Sequence, residues 1–365
     1  MNRSVIVRSY SEGDEKEIVP LLHLVFDGWP HRDLTCSTVD HWRWKYLDNP
    51  SRKSFIAVAV ADGRIIGCHH MIPIGIRIGG NVHRCATALD FAVHPEFRGM
   101  GVSKGMDRLN EDTIRNAGIR VVYYVTRNPI VVKSAQRTNI AFPHEERVMV
   151  RIRDIDVYLG ATRVENPRLV KIAFKTMGLF NNLRNSLRTF HRQDGHFHIV
   201  EATVFNDRID EFWKRVSEHH DFIVERSSNF LNWRYCDPRA GEFVIRLAED
   251  NRDILGYCVL AINRFDAKSP VGYLVDLLTL QQRPDVAESL VVDALKYFDE
   301  NNVNVVNSLV LRRHPFERIL NKYGFIDSRV RMHLFYTNLG GADIIREAGA
   351  PPDRVLLSWG DHDAV

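Results

Sequence analysis

Cysteine is scarce in this chain: five in 365 residues, at positions 36, 68, 85, 236 and 258, an odd and scattered set with no CxxC pair. That excludes a disulfide framework and a cysteine-based zinc site, and fits a reducing compartment. The sixteen histidines include no HExxH spacing, so a zincin centre is excluded as well. No run approaches the roughly 20 apolar residues of a membrane span. The opening MNRSVIVRSYSEGDEKE carries charges where a signal peptide needs an apolar stretch. Charge of one sign is also missing: 49 basic against 46 acidic residues, net +3, too even to mark nucleic acid as a general partner. What is present is a hydrophobic fraction of 45% and a charged fraction of 26%, the balance of a folded globular chain long enough for two domains. A cytoplasmic enzyme or binding protein is the expectation.

Hydrophobic spacing and turn signals divide the chain into elements. A strand over 4–8 leads to a helix over 14–26, with Asp14 in position to cap it. A short helix over 39–47 stops at Asp48-Asn49-Pro50. Strands over 55–60, 65–78 and 83–93 follow, separated by Asp62-Gly63 and Gly79-Gly80-Asn81. A helix after Gly101, a strand over 119–125, a helix over 129–138 and a strand over 148–153 complete a βααβββαβαβ order. The same order recurs further on: strand 202–205, helices 208–219 and 230–235, strands 243–248, 254–262 and 273–280, helix 286–300, strand 303–310, helix 315–322, strand 331–337. Residue detail supports a duplication. Trp44-Lys45-Tyr46-Leu47-Asp48 matches Trp233-Arg234-Tyr235-Cys236-Asp237, and each tryptophan lies 23 residues before a matching glycine, Gly67 or Gly256. Asp90 lines up with Asp276. The Trp-Lys/Arg-Tyr segments read as amphipathic helices clamped by aromatics. His69-His70, in an apolar run, reads as one core and one surface residue, since neighbours on a strand face opposite ways.

Between the copies, 166–192 interleaves Arg168, Lys171, Lys175, Arg184, Arg188 and Arg192 with leucine, isoleucine, phenylalanine and methionine. It reads as a linker helix with a solvated basic face; the sharper alternative is weak docking on an anionic membrane surface or an acidic substrate.

The segment richest in chemistry runs from Leu89 to Ser103, LDFAVHPEFRGMGVS. A strand ends at Val93, a His94-Pro95 turn follows, and Arg98-Gly99-Met100-Gly101 opens a helix. Free amides at a helix start converge on one spot, and the helix dipole adds positive potential, so this is a cradle for a pyrophosphate, with Arg98 adding a charged contact. A Rossmann fingerprint would need GxGxxG after the first strand of a βαβ unit; here the loop follows a meander, and that reading fails.

His94-Pro95-Glu96-Phe97-Arg98-Gly99-Met100-Gly101-Val102-Ser103 resembles the pyrophosphate motif of the GNAT superfamily of N-acetyltransferases, Q/R-x-x-G-x-G/A, with Ser103 where glycine or alanine is the rule. Asn128 resembles the asparagine that opens the fourth helix of that family, and Leu320–Phe325 the end of that helix in the second copy. The resemblance implies an α/β fold, α+β layered, of two tandem GNAT-like domains, each a mixed and mostly antiparallel sheet flanked by helices. It implies acetyl-CoA, or another acyl-CoA, with Phe91, Ala92 and Val93 along the pantetheine arm, Arg98, Gly99, Met100, Gly101, Val102 and Ser103 on the pyrophosphate, and the Val93 amide on the thioester oxygen. It implies direct attack by a primary amine in a ternary complex.

An amine nucleophile must lose its proton. Asp90 is the first candidate base, though a fold role is the stronger claim because Asp276 recurs where no cofactor loop exists; Glu96 and His94 come next. The family often places a tyrosine on the fourth helix to protonate the leaving thiolate. The aligned stretch 131–137 has none, so Ser134, or Tyr124 on the preceding strand, is the candidate donor. In the second copy the loop is Gln282-Arg283-Pro284-Asp285-Val286-Ala287: no glycine, a proline without a donor, and an acid that repels phosphate. The expected organisation is a cofactor-binding catalytic domain over 1–158, the basic connector over 159–196, a degenerate second domain over 197–340 and a tail over 341–365. Two other classes stay open. One is a module that binds acyl-CoA or a partner without chemistry. The other is an aminoacyl-tRNA-dependent transferase of the tandem kind.

Overall fold

Ser37 begins the helix that turns out to matter most: its hydroxyl oxygen accepts the Asp40 amide at 3.1 Å, capping residues Thr38–Tyr46. The computed structural model describes residues 4–161, 197–251, 253–265, 269–340 and 349–362; the basic stretch 166–192 lies outside the described residues. In chain order the elements are β1 (Val5–Ser9), α1 (Glu15–Phe26), α2 (Thr38–Tyr46), β2 (Phe55–Ala61), β3 (Arg64–Ile78), β4 (Asn81–Val93), α3 (Val102–Asn116), β5 (Val121–Thr126), α4 (Pro129–Thr138), β6 (Ile140–Ala141), β7 (Glu146–Ile152) and α5 (Ile155–Ala161). There follow β8 (His198–Ala202), α6 (Arg208–Ser217), β9 (Phe222–Val224), α7 (Ser228–Tyr235), β10 (Val244–Glu249), β11 (Ile254–Asn263), β12 (Val271–Thr279), α8 (Pro284–Glu300), β13 (Val305–Leu311), α9 (Pro315–Lys322) and β14 (Ile326–Asn338). The fold class is α/β, with mostly antiparallel sheets flanked by helices.

Three local expectations change: His69 and His70 are both buried, where one core and one surface residue were expected. Asp14 does not cap α1: its carboxylate is held by the Arg8 guanidinium at 2.6 and 2.9 Å and by the Ser11 amide at 2.8 Å. The strand expected at 202–205 lies earlier, at His198–Ala202, where it pairs with β10.

The chain forms two compact units that are not contiguous in sequence: 1–143 with 221–241 and 333–349, and 144–220 with 242–332 and 350–365. In the first unit the strand order is β1-β2-β3-β4-β5 followed by residues 333–338 of β14, with β9 on β3. All neighbours are antiparallel except β4 and β5. Strand alternation sorts the side chains. Ile56, Val58, Cys68 and Ala92 pack under α1 and α2 with Ile18, Leu22, Trp42 and Tyr46. Ala57, Ala59, Ile66 and Phe97 pack under α3 with Val102 and Met106. Small residues on the α3 face let the helix approach: a Cβ on Gly67 would lie 2.9 Å from Met106 Cε.

The repeated tryptophans meet in this unit. Trp44 of α2 and Trp233 of α7 stack at 5.1 Å between ring centroids. Trp44 Nε1 donates to the Trp233 carbonyl at 2.9 Å, and Trp233 Nε1 donates to the Trp44 carbonyl at 3.2 Å. Equivalent residues bonding reciprocally is the signature of a two-fold contact. Trp44 is buried, so Trp44→Ala should lower the unfolding free energy by about 3–5 kcal/mol, and Trp44→Phe, which keeps a ring but loses the donor, by about 1–3 kcal/mol. Urea titration of the two variants reads the difference.

In the second unit the order is β8-β10-β11-β12-β13-β7 followed by residues 326–332 of β14. A core of Val286, Leu290, Ala294 and Phe298 of α8 packs against Cys258, Leu274 and Val306. The parallel pair β12–β13 bonds only over Val271–Leu274 and Val305–Ser308. Past that point the two strands are lined by Val355–Ser358 of the buried C-terminal segment, a packing no sequence pattern announced.

Candidate active site

Strand β4 runs to Val93 and hands over to a short 3-10 turn, Pro95–Phe97, whose Phe97 is buried beneath α3. The His94 imidazole Nδ1 accepts the Glu96 backbone amide at 3.3 Å, which engages that ring nitrogen in the turn. Gly99 and Gly101 take φ of 79° and 80°, values that cost a side-chain-bearing residue dearly. A Cβ at either would meet nothing within 4 Å. Helix α3 then starts without any side-chain cap. The amides of its first turn are thus left for an outside acceptor, on an open surface that a side chain would fill. Arg98 is exposed, and its Nε donates to the Val93 carbonyl at 3.2 Å, tying the loop to the strand end. Met100 and Ser103 are exposed, and Val102 is buried as an anchor.

Beside this loop the sheet parts. Strands β4 and β5 pair only at Ala86–Val122 and Thr87–Tyr123, although β4 continues to Val93 and β5 to Thr126. The orientation of the free edge follows from the β3–β4 register. His94 donates to the Ile66 carbonyl at 2.8 Å, making that a bonded pair. Alternation makes Ala92–Cys68 the next bonded pair and Val93–Gly67 the non-bonded one between them. The Val93 amide therefore points away from β3, toward the parting. Phe91 is 38% exposed and stacks on His69 at 4.1 Å; Ala92 is buried in the α1–α2 face.

On the other side of the parting, Asn128 caps α4, its Oδ1 accepting the Ile130 amide at 3.0 Å. Ser134 is exposed on that helix. Tyr124 is half-buried on β5 and donates to Asn139 Oδ1 at 3.2 Å; burial pushes its phenol up to about 12.

Asp90 sits in a setting the sequence reading missed. Its Oδ1 accepts Trp29 Nε1 at 2.9 Å, and its Oδ2 accepts Lys45 Nζ at 2.7 Å and the Tyr46 hydroxyl in a very short bond. Burial alone would raise this carboxyl, but the charge of Lys45 and the bonds from Lys45 and Tyr46 outweigh it and hold the pKa below the usual carboxylate range. Lys45 is 6% exposed. The signal was available: the repeated Trp-Lys/Arg-Tyr segment places a cation on a buried helix face, and the repeated aspartate is its partner. In the second unit Asp276, 1% exposed, instead accepts the Tyr257 hydroxyl at 3.0 Å.

Residues 6–133 match the family model of the acetyltransferase (GNAT) domain. The similarity to GNAT acyltransferases by sequence lies in that segment. Among solved structures, a GCN5-related N-acetyltransferase of Anabaena variabilis aligns with a TM-score of 0.62 at 13% identity, over 92% of this chain and 73% of that one. A probable N-acyltransferase of Enterococcus faecalis gives 0.60 at 11%, over 92% and 73%. Saccharomyces cerevisiae N-myristoyltransferase with bound myristoyl-CoA and inhibitors gives 0.60 at 12%, over 93% and 81%. At such identities the likeness is one of fold. No curated protein matches by sequence. Among the described residues, no helix is long and apolar enough to cross a membrane.

Proposed function

We propose that the chain transfers an acetyl or other short acyl group from acyl-CoA to a primary amine by direct attack in a ternary complex. The observation that carries this is the uncapped start of α3 behind two left-handed glycines, next to a strand pair that separates after two residues. The thioester supplies the activated acyl group. Gly99, Met100, Gly101, Val102 and Ser103 hold the pyrophosphate by their amides and Arg98 by charge. Phe91 and Val93 hold the pantetheine arm, while Ala92 between them has its backbone turned to Cys68 of β3 and its side chain in the core. The Val93 amide donates to the oxygen that gains charge during attack, a contact worth several kcal/mol in comparable sites. Asp90 already holds three donors, so the proton of the attacking ammonium leaves to water. Tyr124 stays protonated through neutral pH, the state a donor to the leaving thiolate needs, with Ser134 the alternative on α4.

The second copy binds no CoA on this reading. Its loop lacks glycine, Arg283 is folded onto Asp285 at 2.8 Å, and residues 355–358 line a pocket together with β12 and β13. Calorimetry should therefore give one CoA per chain, and Arg98→Ala should weaken binding about tenfold, the worth of one charge-assisted contact. Thiol release from acetyl-CoA with a panel of primary amines tests turnover. Binding of two CoA molecules, or binding without thiol release on any amine, overturns the proposal, the second outcome in favour of a binding module.

A further inference from the structure

Asp90 is a non-glycine residue at φ 42°, in the sparsely populated left-handed region whose strain persists only when surroundings impose it. The register shows what that conformation does. Leu89 faces His70 and Ala92 faces Cys68, so Asp90 and Phe91 together face His69: one extra residue, a β-bulge. In a regular ladder continued from the Leu89–His70 pair with every residue kept, the residue opposite Gly67 would be Ala92, whose amide, rather than that of Val93, would point off the sheet. The bulge thus chooses which amide the parting receives.

The bulge is clamped on both its polar ends. Its carboxylate holds Trp29, Lys45 and Tyr46. Its carbonyl lies 3.0 Å from His70 Nδ1. Trp42 Nε1, which can only donate, lies 3.1 Å from His70 Nε2. That nitrogen must carry the lone pair and Nδ1 the proton, so His70 is neutral and donates to Asp90. His70, Tyr46 and Trp42 are fully buried, and Tyr46 stacks on His70 at 4.1 Å.

We infer that Lys45, Tyr46, Trp29 and His70 are positioning residues for acyl transfer, locking through Asp90 the bulge that aims the Val93 amide at the thioester oxygen. This rests on the reading of the β4–β5 parting as the acyl-CoA site. Asp90 itself is a positioning residue here, not the base.

The test uses the full chain with acetyl-CoA carrying a 13C carbonyl, whose infrared band reports hydrogen bonding to that oxygen. In the wild type the bound carbonyl band should shift to lower frequency. Asp90→Gly tolerates the backbone angle but has no side chain to clamp, and Lys45→Met removes the charge at similar length. In both, the band should return toward the free value, and kcat for thiol release should fall about 10- to 100-fold, as for loss of an oxyanion donor. Affinity for CoA, which has no carbonyl, should stay within about twofold, because the 98–103 amides are untouched. Tyr46→Phe, the mildest change, should give a partial band shift with the protein folded. An unchanged band in all three variants overturns the inference. So does a parallel loss of CoA affinity and thermal stability with the band intact, which marks a purely structural cluster. A wild type that binds neither CoA nor acetyl-CoA sinks the site reading itself and this inference with it.

Discussion

Gly101→Trp should bind CoA at least about a hundredfold more weakly than the wild type, a loss of about 2.7 kcal/mol, while keeping its fold. The indole would occupy the open space over the amides of Val102 and Ser103, where nothing of the protein lies within 4 Å of a Cβ. Part of any change will be backbone strain, because φ is 80° there and a side chain in that region costs roughly 1–2 kcal/mol. Gly118 supplies the matched control. It ends the same helix at φ 78° with equally open surroundings and lies far along α3 from the cradle. Gly118→Trp should show the same drop in stability and an unchanged CoA affinity. Calorimetric titration and thermal melts on the two variants separate site from strain. If both lose CoA affinity alike, or neither does, the cradle is misplaced.

Acidification should destabilise the chain steeply between pH 6.5 and pH 4. His41, His70 and His314 are buried. Burial, before any neighbouring charge, pushes His70 down to about 4 and His41 and His314 to about 3. Each folded pKa lies below the unfolded value near 6.5, so the unfolded state takes the proton first. The stability due to these neutral imidazoles is complete above about pH 6.5 and is lost as pH falls toward their folded values. At pH 5 the loss is roughly 2 kcal/mol for each. The bonding explains why no relaxation rescues them: His70 Nε2 faces the Trp42 donor at 3.1 Å and cannot receive a proton without breaking that contact. Urea unfolding at pH 5 and pH 8 should show the difference. His70→Gln should reduce the slope of stability against pH by about 1.4 kcal/mol per pH unit in this range, one proton fewer. A flat profile from pH 8 to pH 5 would show these imidazoles to be solvated.

Much of the architecture was legible because it is local. The Asp-Asn-Pro stop of α2, the glycine turns of the β2–β3–β4 meander and the Pro129 start of α4 depend on residues a few positions apart. The left-handed glycines ahead of α3 were legible for the same reason, since a run of a few residues sets that backbone. The Asp90 cluster was not. Trp29, Lys45, Tyr46 and His70 lie 20 to 61 residues from Asp90 in sequence, and an aspartate reads alike whether it faces solvent or three donors. The bulge that binds them together leaves no compositional mark, because its residue is not glycine.

Sequence alone carried the element order and the left-handed backbone at Gly99 and Gly101, through short-range spacing and through which residues can adopt that backbone. Tertiary structure alone decided that β4 and β5 part after two residue pairs, that each compact unit is assembled from separate stretches of sequence, that residues 355–358 line a pocket with β12 and β13, and that Asp90 accepts three donors. Those are matters of which strand edge meets which and which donors reach a buried carboxylate, and contacts between distant residues are fixed only when the whole core packs.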